Sequence, residues 1–266
     1  MKKKIPVGHR PTQIRQAAFW ICFLLLVVIS YINIDIDWNL WKAGMEKLPG
    51  MVSRMFTLQP DIFMEVIEEM ILTLAVAAIS VVISAVLALI LGFLAAENTA
   101  PNAVLKKVIV CICTVIRTIP ITVWVLLAVA SAGFGNTAAI LGLIFPTAAY
   151  MVKTYATQIE SYGTGLKETM QSLGASWPVM VLKGFFPMCS TSLLAQTAFR
   201  LEMSVSESTA LGMVGCGGIG YLISRYIKSY KFGELMVCIL VVLLMMYALE
   251  MTTSVIRKSM RREGNE

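Results

Sequence analysis

From Met70 to Ala96 the chain carries no charged residue, and from Val108 to Val152 it carries one, Arg117. A helix needs about 20 apolar residues to cross the hydrocarbon core of a bilayer, so these runs are long enough to span it. Lipid offers no partner to a backbone N–H or C=O, so a spanning segment must be a helix or part of a closed barrel. Barrel strands alternate apolar and polar residues over about 10 positions, and these runs do not alternate. The expectation is therefore an all-α, polytopic membrane protein. Composition agrees: charged residues make up 14% of the chain, against about 25% in soluble domains.

Charge sets the expected topology, because Lys and Arg concentrate on the cytoplasmic side of membrane helices. Residues 1–16 hold Lys2, Lys3, Lys4, Arg10 and Arg15 and no acid, which suits a cytoplasmic tail. Residues 17–34 follow as an uncharged run and a first span. A cleaved signal peptide is the competing reading, but the run is long for one and lacks a small-residue cleavage site. Residues 35–69 are net acidic, with Asp35, Asp37, Glu46, Asp61, Glu65, Glu68 and Glu69 against Lys42, Lys47 and Arg54, and so belong outside. Trp38 and Trp41 in this loop suit either interfacial anchors or a short amphipathic helix. Met70–Ala96 is the second span, and Glu97, Pro101, Lys106 and Lys107 form a short inner loop.

The run from Val108 to Val152 has room for two helices joined at Gly133–Asn136, with Pro120 and Pro146 marking kinks or ends. A polar inner segment reaches Pro187, span five begins at Met188, and span six runs from Leu235 to about Val255. The expected organisation is a tail 1–16, a helix 17–34, an outer loop 35–69, a core of five helices over 70–256 with an inner loop 160–187, and a basic tail 257–266. This count leaves Arg225, Lys228 and Lys231 on the outer side, against the charge bias.

Several function classes drop out. The net charge of +6 comes from helix ends and tails rather than from a nucleic-acid-binding stripe. His9 is the only histidine, so no His-based metal or catalytic cluster can form. Cys22, Cys111, Cys113, Cys189, Cys216 and Cys238 lie almost entirely in apolar runs, as buried free thiols do. Cys111 and Cys113 would point to different helix faces, so they do not form a metal pair. No Gly-x-x-x-x-Gly-Lys-Ser/Thr run exists, so the chain lacks the phosphate cradle of a P-loop ATPase.

Span five carries charge. Arg200, Glu202 and Glu207 would each cost roughly 2.5–3.5 kcal/mol at a helix centre, so they should face the bundle interior or water. Positions 200 and 207 share a helix face two turns apart, which is consistent with a pathway lining or a structural ion pair. Arg117, followed by Pro120, opens span three as a snorkelling or a pathway arginine. After span five come Gly212, Gly215, Gly217, Gly218 and Gly220. The Gly-x-Gly-x-x-Gly spacing within them matches the dinucleotide fingerprint, but that fingerprint needs a strand before it and a helix after. Here the glycines suit close helix packing or a helix break at the mouth of a pathway.

The inner segment is more specific. Lys167 and Glu168-Thr169-Met170 are followed by Gly174-Ala175, and Phe186-Pro187 lies twelve and thirteen residues beyond the glycine. This spacing resembles the EAA signature of permease subunits of ABC importers. Thr169 and Met170 stand where the signature has alanines, Gly184 where it has a hydrophobic residue, and Phe186 where it has leucine. Phe199-Arg200-Leu201-Glu202, the stretch Thr209–Gly220, Ala96-Glu97-Asn98 and Arg117-x-Ile119-Pro120 resemble phosphonate importer permeases. Two positions depart from that pattern. Ile121-Thr122 replaces an acidic residue after the proline. Ser206-Glu207 replaces an arginine with no acid beside it.

The resemblance implies a type I, MetI-like permease fold with six membrane helices and a cytoplasmic coupling helix, in the bacterial plasma membrane. It implies two cytoplasmic ATPase subunits that bind ATP and Mg, an extracytoplasmic binding protein, and a second permease, identical or related. The permease itself would bind no cofactor. The implied coupling residues are Lys167, Glu168, Thr169, Met170, Gly174, Ala175 and Pro187. The pathway candidates are Arg117, Pro120, Arg200, Glu202, Ser206 and Glu207. The expected cargo is a phosphonate or related phosphorus oxyanion, with another small solute such as an amino acid as the alternative. Intramembrane carboxylates and a glycine break would also suit an ion-coupled secondary transporter.

Overall fold

The computed structural model describes residues 10–34 and 37–263. Lys2, Lys3, Lys4, His9 and Asp35 lie outside the described residues, as do the side chains of Arg10, Arg257, Arg261 and Arg262. The chain divides into two units, Met1–Met51 and Val52–Glu266. The described residues contain five helices long and apolar enough to cross a membrane, or six if one sharply bent pair counts as a single span.

In the first unit, α1 spans Arg10–Asn33 and α2 begins at Trp38 and runs to Met55. Asp37 caps α2, its carboxylate accepting from the N–H groups of Asn39 and Leu40 at 2.9 and 3.1 Å, which satisfies two of the four orphan donors of a helix start. Trp38 and Trp41 meet edge to face, 6.0 Å apart. The expected outer loop is thus largely helical.

The second unit is built on α3 (Phe63–Ala95) and α6 (Asn136–Glu160). α3 starts earlier than its uncharged run, taking Glu65, Glu68 and Glu69 into its first turns. Thr73, Ala77, Ser80, Ser84, Ala88 and Gly92 recur at about every fourth position and are buried, a small-residue stripe that lets helix backbones approach closely. At Gly92 an added Cβ would meet Tyr155 Cβ of α6 at 3.0 Å, and Ser84 donates across to the Ile144 carbonyl at 3.1 Å.

The stretch expected as span three is two helices. α4 (Ala103–Thr118) and α5 (Ile121–Ala132) meet at 87° across Ile119 and Pro120. The residue before a proline is forced towards extended backbone, and Ile119 adopts φ −83°, ψ 125°. Trp124 Nε1 donates to the Ile116 carbonyl at 3.2 Å, satisfying one acceptor freed at the end of α4. Pro146, by contrast, is buried within α6. α5 packs on α6 at Gly142, where an added Cβ would lie 2.7 Å from Val125 Cα.

Beyond α6 come α7 (Gly165–Ser172), a single turn α8 (Trp177–Val179), a π-helical turn Met180–Phe185 and α9 (Phe186–Leu211). A second π-helical turn, Gly212–Cys216, leads into α10 (Gly218–Lys228), and α11 covers Phe232–Glu263. α9 packs against α3, α6 and α11, and α10 lies across α3 and α11. Where α3 begins, Arg225 reaches Glu65 at 3.3 Å, and nearby Lys231 pairs with Glu234 at 3.3 Å. Two of the three cations that break the charge bias therefore sit beside carboxylates.

Overpacking costs about 1–3 kcal/mol, so Gly142→Ala should lower the melting temperature of the purified protein. Gly44→Ala should not, because nothing lies within 4 Å of a Cβ there. Thermal melts of both variants in one detergent check the difference.

Candidate functional site

The inner segment folds as a short helix fastened at both ends. Asn98, buried in the turn after α3, donates through Nδ2 to the Ile159 carbonyl at 2.7 Å and the Gly163 carbonyl at 3.1 Å. The Glu97 N–H donates to Glu160 Oε1 at 2.8 Å. The exit from α6 is thereby tied to the turn between α3 and α4. On the far side of α7, Trp177 Nε1 donates to the Thr99 carbonyl of that same turn at 2.6 Å. Tyr162, before α7, donates to the Met188 carbonyl of α9 at 2.7 Å.

Gly174 ends α7 for a definite reason. Its φ is +73°, in the left-handed region that costs a residue with a Cβ about 1–2 kcal/mol. The Gly174 N–H bonds to the Gln171 carbonyl at 2.9 Å and the Ala175 N–H to the Met170 carbonyl at 3.0 Å, the paired bonds of a Schellman stop. Ala175 thus has a backbone role in the cap.

Met170 and Gly184 are neighbours. An added Cβ at Gly184 would lie 3.6 Å from Met170 Cε and 3.9 Å from Leu166 Cδ2. A Cβ at 184 would sit in ordinary contact with Met170, and a longer side chain would have to share its space. Glu168, Thr169, Gln171 and Leu173 stay exposed, and Leu173 is 78% exposed. Lys167 is half-buried and lines a cleft of about 260 Å³ with Thr99, Pro101, Gln171 and Trp177. Pro187 stands in the first turn of α9. The π-helical turn before it shifts the hydrogen bonding, with the Phe186 N–H reaching back to the Val181 carbonyl, so the register changes just before the residue that has no N–H to give.

The second constellation lies between α6 and α9. Arg200 Nη1 and Nη2 grip the two Glu207 oxygens at 3.1 and 2.6 Å. Nη2 also donates to Thr147 Oγ1 at 2.9 Å. The guanidinium lies over the Tyr150 ring, 5.0 Å from its centroid, and Arg117 lies 5.3 Å from the same centroid. One aromatic ring is thus shared by two cations. The Arg200 side chain is 7% exposed and Glu207 25%. Arg200 Nε and Ser204 Oγ are buried and have no hydrogen-bond partner among the described residues.

The remaining pathway candidates are placed differently. Glu202 faces α11 and accepts from Thr253 Oγ1 at 3.2 Å, so it does not join the Arg200 cluster. Ser206 is exposed beside Glu207, and Pro120 is exposed at the break between α4 and α5. Thr147 and Tyr150 were not candidates from sequence, since a neutral threonine and tyrosine in an apolar run carry no signal of their own.

The glycine motif packs tightly. An added Cβ at Gly220 would run into the Thr209 carbonyl, and one at Gly212 would lie 2.5 Å from the Gly217 carbonyl. Thr73 Oγ1 of α3 accepts from the Ile219 N–H at 2.9 Å and so caps α10. The motif follows a helix, whereas a dinucleotide fingerprint follows a strand.

Residues 88–262, more than half of the chain, match the family described as binding-protein-dependent transport system inner membrane component. The putative phosphite transport system permease protein HtxC of Stutzerimonas stutzeri is 29% identical over 95% of this chain and 90% of its own length. The phosphate-import permease protein PhnE of Mycolicibacterium smegmatis is 27% identical over 54% of this chain and 27% of its own length. Among solved structures, an inward-facing MetNI methionine ABC transporter chain aligns with a TM-score of 0.70 at 22% identity, covering 76% of this chain and 99% of that one; at that identity it speaks for the fold alone. The fold expected from sequence, a MetI-like permease, is the fold found, and the secondary-transporter reading falls away. The chain belongs to the family of binding-protein-dependent transport system inner membrane components.

Proposed function

We propose that this chain is the membrane-spanning subunit of an ABC importer that carries a small phosphorus oxyanion inward across a bacterial plasma membrane, and that α7 is where the ATPase subunits push. The carrying observation is the fastening of α7. A polar helix bordered by the Asn98, Tyr162 and Trp177 bonds is tied to the α3–α4 turn and to two helices, α6 and α9. Those two helices hold Thr147, Tyr150, Arg200 and Glu207. Motion at α7 thus reaches the charged cluster through hydrogen bonds and packed side chains.

In this reading α7 and the α3–α4 turn lie in the cytoplasm, with both termini on that side, and α10 and the glycine motif lie at the outer face. ATP and Mg are held by two partner ATPase subunits, and ATP drives transport by binding the two states of the machine with different affinity. A second permease, identical or related, completes the pathway, and an extracytoplasmic binding protein delivers the cargo. A phosphorus oxyanion fits the local charge, because two guanidiniums share Tyr150 with one carboxylate. The names of the relatives point the same way. Co-expression with candidate ATPase and binding-protein subunits from the same genome tests the reading: the three should co-purify and restore phosphite uptake to a host lacking its own importers. Co-purification with uptake of a different solute would keep the importer and discard the cargo.

Gly174→Val should lose uptake and ATPase co-purification while the protein still reaches the membrane, since a β-branched residue at φ +73° is costly. Normal co-purification would remove α7 from the docking surface. Gly184→Leu should impair transport, and Met170→Ala in the same chain should restore it. Coupling of residues in contact is worth about 0.5–3 kcal/mol. Additive losses in a double-mutant cycle of uptake rates would show that the two do not share one space.

A further inference from the structure

The guanidinium fork binds carboxylates and phosphate-type oxyanions with the same two parallel N–H···O bonds. In this protein Glu207 occupies that fork on Arg200, at 2.6 and 3.1 Å. Arg200 is immobilised by burial, by Thr147 Oγ1 and by the face of Tyr150. Glu207 is more exposed than its partner and stands beside exposed Ser206, so the carboxylate is the member that can swing away. The site also offers more donors than Glu207 uses. Arg200 Nε and, one turn on, Ser204 Oγ are buried without an acceptor among the described residues. Arg117, on the same aromatic ring, adds a second positive charge that Glu207 cannot neutralise.

We propose that Glu207 is a resident stand-in for the cargo, and that an oxyanion in transit takes Arg200 by displacing this carboxylate. The oxyanion's identity as a phosphorus acid rests on the reading given above; the exchange itself requires only an anion that fits a guanidinium fork. Transfer of Arg200 between a tethered anion and a mobile one keeps the buried cation paired throughout. It also keeps the pathway from trapping its cargo, because the tethered carboxylate competes for the seat as soon as the oxyanion moves on.

The test uses the full chain purified in lipid nanodiscs, melted at constant ionic strength in chloride, acetate, sulfate, phosphite or methylphosphonate. Glu207→Ala should melt lower than the wild type in chloride. Acetate and phosphite should restore part of the loss, and Arg200→Gln in the same chain should abolish the restoration. A Glu207→Ala melt that no anion moves would overturn the exchange and leave a closed structural ion pair. Restoration by acetate and sulfate but not by phosphite or methylphosphonate would uphold the exchange and reject the phosphorus cargo. Should Glu207→Ala prove too unstable to purify, the isosteric Glu207→Gln should bind phosphite, or failing that sulfate, about tenfold more tightly than the wild type by calorimetry. Equal affinity for both anions in the two proteins would overturn the proposal.

Discussion

The close packing of α3 against α6 is the contact on which the rest of the structure depends. Hydrophobic burial does not distinguish helix from lipid, so helices in a membrane associate through close contact and hydrogen bonds. α3 meets this requirement with its buried stripe of Thr, Ala, Ser and Gly, and α6 meets it with Ala149 and Ala156 beside Tyr155. The same helix then serves both ends of the bundle. Near its start Thr73 caps α10, and just past its end Asn98 holds the last carbonyls of α6. The glycine motif and the α7 segment are thus fixed to one spine, although they lie at opposite ends of it.

The charged cluster follows from that frame. α6 presents Thr147 and Tyr150 to α9, and Tyr155 and Thr197 hydrogen-bond between the same two helices at 2.5 Å. Arg200 can be buried because every cost of doing so is partly met: a carboxylate on its fork, a hydroxyl on Nη2 and an aromatic face beneath it. Removing one member of such a buried pair typically costs about 3–5 kcal/mol, because the other charge is left unmatched. That asymmetry suits a site where one anion replaces another better than a site that stands empty.

The departures from the family signature are mutually consistent. Met170 and Gly184 both depart from the pattern, and the structure places them side by side. Ser206-Glu207 removes a cation and adds an anion, and Glu207 then occupies the arginine seven residues before it. In each case the paired residues are neighbours, fourteen residues apart in one and on the same helix face in the other.

The sequence alone determined the class, most of the apolar helices and the short polar helix α7. Lipid forces backbone hydrogen bonds to close within a segment, so apolar runs become helices whatever they later touch. The Glu168–Gly174–Pro187 spacing was legible because caps and stops are local. The sharing of a face by Arg200 and Glu207 was legible from helical periodicity. The two prolines show where legibility ended: Pro120 breaks a helix at 87° and Pro146 is absorbed inside one. A proline removes one donor in either case, and whether the helix continues depends on what packs around it. Tertiary structure likewise chose Thr147 and Tyr150 as partners of Arg200, turned Glu202 away to Thr253, and pressed Gly212 against Gly220. Those decisions belong to contacts between helices, and no property of a single helix encodes which neighbour its side chains will meet.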